Sequence, residues 1–366
     1  MKKASLITIH SINNFGSVLQ TIATVKLLEA HGVKTTVVNY QRDQDRLSYA
    51  LHNKEVKNCI PIIRGILFSP LSIIRTCISR KFLRSKVTVS SPIYSKDDFL
   101  KKCPKGDYYI TGSDQVWNSL HNKRLDKHYY FDGFPDGVIK IAFSASFGRE
   151  KLNKDEYYEV KRMLNSYKAI SVRESSGKEI VESMGYKVEH ILDPTMLVEQ
   201  EGWSYYATKR KYFHPYIFVY LPYNLHDKDI IYRSAKAIAK NKHLDIVAFS
   251  NGILPIKAAD RTLRSGNPGE VLSAFYYADY IITNSFHGTA FSINLNKKFF
   301  VYMPTGFGTR IASLLKLFTL QNRLLQPDEI VSSAKIETDI DYTAINSLLD
   351  KERQKAHTFL SNALFD

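Results

Sequence analysis

The apolar positions of this chain fall into two kinds of run. Short stretches rich in β-branched and aromatic residues alternate with longer ones whose apolar residues return every three or four positions. The N-terminal stretch shows the unit. ASLITIH (4–10) is an apolar run of strand length. SVLQTIATVKLLEAHG (17–32) has helical periodicity and ends on Gly32, a residue suited to close a helix. VKTTVVNY (33–40) is a second strand. More strand runs follow at YYITGS (108–113), IKIAFSAS (139–146), AISVRE (169–174) and KVEHIL (187–192), with helices predicted over 154–167 and 175–184. Strands joined through helices run parallel, so the alternation predicts a doubly wound α/β sheet.

At DPTMLVEQEGW (193–203) the rhythm pauses, and a linker is predicted near 195–212. A second series then begins: YIFVYLPY (216–223), helix DKDIIYRSAKAIAK (227–240), LDIVAFS (244–250), helix GEVLSAFYYA (269–278), DYIITNS (279–285), a helix from about 288, and KKFFVYMP (297–304). The expected organisation is one Rossmann-like domain over 1–200, a second over 207–342, and a helix over 343–366 that packs back across the linker.

Residues 54–86 do not follow this rhythm. They hold eight Lys or Arg, a single acidic residue (Glu55) and many Ile, Leu and Phe, and Pro61 and Pro70 are expected to break them into short helices. Two readings are open. One is a helical insertion with its apolar side on the first sheet and its basic side in solvent. The other is a basic amphipathic surface that lies on anionic lipid. Nucleic acid is not expected as a partner, because bases prefer aromatic platforms and the interleaved residues here are aliphatic.

Composition sharpens this picture in three ways. The 366 residues suffice for two cores, and 44% hydrophobic and 12% aromatic content argue against disorder. Some of the 23 Tyr and 20 Phe are expected to line a groove suited to sugars. The formal charge of +15 leaves nucleic acid, an anionic membrane or a small anionic substrate as partner classes. Cys59, Cys77 and Cys103 lack metal or CxxC spacing, so reduced thiols and no metal centre are expected. The start, MKKASLITIHSINNFG, has too short an apolar stretch for a signal peptide, and no run approaches the ~20 apolar residues of a membrane span. A cytoplasmic protein is expected.

In open α/β sheets ligands bind beyond the carboxyl ends of the strands. That rule selects His10, Asn13, Asn14 and Gly16 after the first strand, and Gly112, Ser113, Asp114, Gln115 and Trp117 in GSDQVWN. It also selects Arg149, Arg173, then Asn284, Ser285, His287 and Gly288, and finally Gly306, Gly308 and Arg310 in TGFGTR. Each has a bland counterpart. TGFGTR suits an oxyanion, but glycine loops before helices are common. GSDQVWN is equally a helix start with Asp114 as its N-cap. A lone histidine is more often structural than catalytic, yet His287 stands where a strand ends and a helix begins.

Together the motifs resemble the polysaccharide pyruvyl transferase family. The matching pieces are HSINNFGSVLQTIAT, YYITGSDQVWN, SASFG, ISVRE, HILDPTML with Trp203, NSFHGTAFSI and RIASLLKLFTLQNR, in order from residue 6 to about 323. The resemblance implies two Rossmann-like domains facing a cleft, as in GT-B glycosyltransferases, with the acceptor on the N-terminal side and the donor on the C-terminal side. It implies phosphoenolpyruvate as donor, with no further cofactor, and a glycan acceptor that forms a pyruvate ketal, often 4,6-linked. His287 matches the family's candidate general acid, and Arg173 matches an arginine motif. Some members carry an arginine where this chain has Ser285, and Arg310 or Arg149 is expected to replace it.

The expected site follows. His287 is the acid and Asp114 acts on an acceptor hydroxyl. Arg173, Arg310, Ser285, Gly288, Gly306, Gly308 and Arg149 bind the donor. His10, Asn13, Asn14, Gln115 and Trp117 face the acceptor, a sugar that in one reading is carried on a polyprenyl diphosphate at the inner leaflet. Two other function classes remain open: a GT-B glycosyltransferase using a nucleotide sugar, which would bind UDP or GDP, and a non-catalytic glycan-binding protein.

Overall fold

The computed structural model describes the chain except residues 13, 43–44, 46–58, 224–227, 253 and 305–307, and describes 59–70 and 96 by backbone alone. The chain divides into two compact units, Met1–Leu197 with Glu352–Asp366, and Val198–Lys351.

The first unit holds β1 (Lys2–Ile7), α1 (Phe15–Ala30), β2 (Val33–Val37), α2 (Cys59–Lys86), α3 (Lys96–Lys102), β3 (Tyr108–Thr111), β4 (Ile139–Ala145), α4 (Lys154–Leu164), β5 (Tyr167–Val172), α5 (Ser175–Ser183), β6 (Glu189–His190) and α6 (Pro194–Leu197). Its sheet runs β2-β1-β3-β4-β5-β6 with every neighbouring pair parallel. Leu6 pairs with Val37 on one side and Ile110 on the other. All four residues of β3 are buried, as a strand covered on both faces requires.

The second unit holds α7 (Gln200–Ser204), β7 (Tyr216–Tyr220), α8 (Lys228–Lys242), β8 (Asp245–Phe249), β9 (Arg261–Leu263), α9 (Pro268–Tyr276), β10 (Tyr280–Thr283), α10 (Phe286–Asn294), β11 (Lys298–Tyr302), α11 (Thr309–Leu317), β12 (Leu324–Leu325), α12 (Ser333–Glu337) and the start of α13 (Tyr342–Phe365). Its sheet, also parallel, runs β12-β11-β10-β7-β8-β9. In each sheet the strand order reverses once. The reversal falls between β1 and β3 in the first unit and between β7 and β10 in the second. These switch points are where an open parallel sheet leaves a crevice for a ligand.

Several expectations need correction. Residues 59–86 form one helix, not short pieces. Pro61 falls in its first turn, where the missing N–H has no partner to lose, and an interior proline removes one backbone bond, which bends a helix without ending it. Residues 54–58 lie outside the described residues. The helix expected from 288 begins at Phe286, because Ser285 caps it. The helix expected over 154–167 stops at Leu164, before the β5 residue Tyr167. No helix starts at Asp114. Asp114 has a left-handed φ of 70°, and its Oδ1 accepts from the adjacent Gln115 N–H at 2.8 Å. The edge strands β9 and β12 and the short helices α3, α6, α7 and α12 are absent from the sequence reading; such short elements carry too few residues for a periodic signal.

Candidate active site

In the first unit the strand ends meet in a buried ionic cluster. Arg173, at the end of β5, reaches Asp193 through Nη1 and Asp114 through Nη2, the latter at 3.0 Å. Its side chain is fully buried, as are those of Asp193 and the adjacent Glu174. Glu174 Oε1 in turn accepts from the Phe147 and Gly148 N–H groups at 2.8 and 3.1 Å, which fixes the loop after β4. Asp114 Oδ2 accepts from Ser17 Oγ at 2.5 Å, so the cluster also anchors the first turn of α1. Gly112 allows this approach: its φ is +114°, and a Cβ there would fall on the Phe143 carbonyl.

This geometry changes several expected roles. The carboxylates of Asp114, Glu174 and Asp193 surround Arg173, so the cation expected at a donor is paired inside the unit. Trp117 is no sugar platform. It is buried, stacks on Tyr130 at 5.3 Å, and donates Nε1–H to the Tyr129 carbonyl. Gln115 is also buried, and its Oε1 accepts from Asn118. Asn14 is the N-cap of α1, its side chain accepting from Gly16 and Ser17 N–H. Arg149 is tied to Glu156 on α4. His10 is buried between the Thr8 carbonyl (3.0 Å) and Asn39 Oδ1 (3.4 Å), and burial pulls its pKa below the ordinary imidazole value. Asn13 lies outside the described residues.

The second unit places His287 beside its switch point. β10 ends at Thr283, and the N-terminal turn of α10 presents His287 as its second residue, 3% exposed. Asn284 is fully buried and donates Nδ2–H to the Tyr223 carbonyl at 3.0 Å, linking the segments that follow β10 and β7. Its Oδ1 has no hydrogen-bond partner among the described residues. A buried amide oxygen left so is costly unless a ligand or water completes it.

Ser285 and Gly288, expected at a donor, instead build the helix start. Ser285 Oγ accepts from the Gly288 N–H at 3.4 Å, and Ser285 N–H donates to Thr283 Oγ1 at 3.1 Å. Gly288 is required by a close approach, since a Cβ there would fall on Thr283 Oγ1. Arg310, on the first turn of α11, is buried with its guanidinium 5.3 Å from the centre of the Phe286 ring. The helices α10 and α11 follow the neighbouring parallel strands β10 and β11, so both N-termini open on the same sheet edge. That edge therefore carries one buried imidazole, one buried guanidinium and two helix N-termini, which together favour an anion. Gly308 is the N-cap of α11, and Gly306 lies outside the described residues.

A sequence model of polysaccharide pyruvyl transferases matches residues 14–304. The chain belongs to that family. The match takes in the switch point between β7 and β10 and the segment around His287, while β1 of the first unit precedes it. Among curated proteins none matches the chain significantly. Solved structures similar in fold include a UDP-GlcNAc 2-epimerase from Neisseria meningitidis, at 10% identity over 100% of this chain and 99% of that one, with a TM-score of 0.50. MnaA from S. aureus aligns at 12% identity over 98% and 91%, with a TM-score of 0.46. MurG from Acinetobacter baumannii aligns at 11% over 99% of both, with a TM-score of 0.45. At such identity the likeness to the epimerase concerns the fold alone: two Rossmann-like units in one chain, the GT-B plan.

Sequence reasoning passed over Asp193 and Glu174. Their signal was a charged residue set inside an apolar motif, HILDP and AISVRE, where burial forces it to find partners. Among the described residues no group of His, Cys, Asp and Glu is placed to hold a metal.

Proposed function

We propose that this pyruvyl transferase takes the pyruvyl group from phosphoenolpyruvate and sets it as a ketal across two hydroxyls of a sugar, releasing phosphate. The observation that carries the reading is His287, a buried imidazole at the switch point of the second unit, on the same sheet edge as Arg310. Phosphoenolpyruvate is an enol phosphate with a carboxylate, so its site needs fixed cations and backbone donors. Arg310 and the starts of α10 and α11 supply these, and Arg310 takes the place of the arginine that Ser285 lacks.

In the reaction, His287 delivers a proton to the methylene carbon, and C2 becomes electron-poor. One sugar hydroxyl adds to C2 and gives up its proton, which restores the imidazolium. The C2–O bond to phosphate then breaks, and phosphate leaves with that electron pair. The second hydroxyl closes the ring, its proton passing to the departing phosphate. An imidazole suits the first step because its ordinary pKa lies near 6.5. Asp114 is the acceptor-side carboxylate, and Arg173 positions it. The acceptor is a glycan or its lipid-linked precursor, and the reaction runs in the cytoplasm, where phosphoenolpyruvate is made.

The test is phosphate release from phosphoenolpyruvate with and without a panel of glycosides, together with a mass gain for the ketal. His287→Gln should keep its melting temperature and lose about 100- to 10,000-fold in kcat. A near wild-type rate in that variant overturns the acid assignment. Tight UDP or GDP binding without acceptor-dependent phosphate release overturns the donor assignment.

A further inference from the structure

Helix α2 leaves part of its apolar surface outside over the stretch whose side chains are described. Its inward face is mixed: Arg75, Thr76 and Ser79 are buried and Arg80 half-buried there, beside the buried Leu83 and the half-buried Leu71, Ile73 and Phe82. Arg80 alone donates to the carbonyls of Ser11 (3.0 Å) and Asp45 (2.8 Å) and to Gln41 Oε1 (2.9 Å). Its outward face carries Ile74 and Ile78, 53% and 40% exposed, with Cys77 between them. Lys81 and Arg84 follow on the same side, both exposed. Positions 74, 77, 78, 81 and 84 share one helix face by spacing. A helix on a globular unit normally turns its apolar stripe inward. Here hydrogen-bonding groups take much of the inward face, and Ile74 and Ile78 are left for something outside.

Charge selects what that is. Helix α2 has no acidic residue from Cys59 to Lys86, and its sequence continues N-terminally from the described face as CIPIIRGILFSP. A second copy meeting this face about a twofold axis would set Lys81 and Arg84 against themselves, with no carboxylate on the helix to answer them. An anionic lipid surface answers both features: phosphate headgroups for the cations, and the headgroup–acyl boundary for the isoleucines. We propose that the outward face of α2 docks this protein on an anionic membrane surface. The contact is peripheral, since among the described residues no helix is long and apolar enough to cross a bilayer. It does not depend on the transferase reading.

Flotation with phosphatidylcholine vesicles, with and without about a third phosphatidylglycerol, tests this. Wild-type protein should float with the anionic vesicles at low salt and stay behind with neutral ones. Ile74→Asp with Ile78→Asp should abolish flotation, and Lys81→Glu with Arg84→Glu should weaken partitioning by about tenfold or more. All four positions are exposed, so melting temperature and turnover of a water-soluble acceptor should hold. In a Cys59→Ser background, a polarity-sensitive dye on Cys77 should shift to the blue only with anionic vesicles. Wild-type protein that anionic vesicles fail to retain overturns the proposal. So does full retention of the double aspartate variant. A wild-type dimer that this variant converts to monomer, with no vesicle binding, assigns the face to a second copy and also overturns it.

Discussion

Single residues in this protein take their meaning from what surrounds them more than from their type. Three histidines illustrate this. His287 sits on a helix start at a switch point. His10 is enclosed by Thr8 and Asn39, and His190 lies at the end of β6. Burial lowers the pKa of both His10 and His190, because it disfavours the charged imidazolium. A histidine with a folded pKa below its unfolded value binds fewer protons when folded. The unfolded chain is then favoured as pH falls through the unfolded value. Stability of the first unit should therefore be flat above about pH 7 and decline below about pH 6.5. The chain has two tryptophans, Trp117 in the first unit and Trp203 in the second, so a Trp203→Phe variant reports the first unit alone. Its melting temperature, followed by Trp117 fluorescence, should fall between those pH values, and His10→Asn should reduce the fall.

At the scale of elements, the ionic cluster of the first unit joins four of them. Asp114 follows β3, Arg173 ends β5, Asp193 precedes α6, and Ser17 opens α1. Removing the cation strands the carboxylates of Asp114, Glu174 and Asp193 in the interior. Arg173→Met should cost about 3–5 kcal/mol of stability, and adding Asp193→Asn should recover part of it. Denaturant unfolding of the single and double variants measures this. If Arg173 instead touches the donor directly, Arg173→Met will raise KM for phosphoenolpyruvate with its melting unchanged. A second element-scale effect lies in α10, which starts two residues earlier than periodicity suggested. The capping oxygen of Ser285 moves His287 from a loop into a helical turn, where its ring direction is set by the helix and by packing beside Phe286.

At the scale of the molecule, the chain crosses from one unit to the other and returns. Glu352–Asp366 belongs with the first unit although it follows the second. Phe359 stacks on Phe143 at 6.2 Å, Tyr108 donates to the Leu364 carbonyl, and Lys355 Nζ donates to the His190 carbonyl at 2.7 Å. Leu360 is fully buried among these contacts. Leu360→Ala should cost about 2–5 kcal/mol. The loss should appear in the transition of Trp117, read in the Trp203→Phe background. The transition of Trp203, read in a Trp117→Phe background, should stay in place. Equal shifts of both would mean that the units melt as one.

The α/β class, the two series of strands, the order of motifs and the family are legible in the chain itself. Each is a property of local periodicity or of contiguous residues, such as AISVRE, GSDQVWN and NSFHG. Only the folded structure decided how those motifs are used. Arg173 and Asp114 lie far apart in sequence, yet they neutralise each other. Trp117 ends a polar motif, yet it is core. Arg75, Thr76 and Ser79 of α2 face inward while Ile74 and Ile78 face out, although its composition allowed either orientation. In each case the deciding term is the desolvation of a charged or polar group. Its size depends on which distant partners arrive beside it, and local sequence does not carry that information.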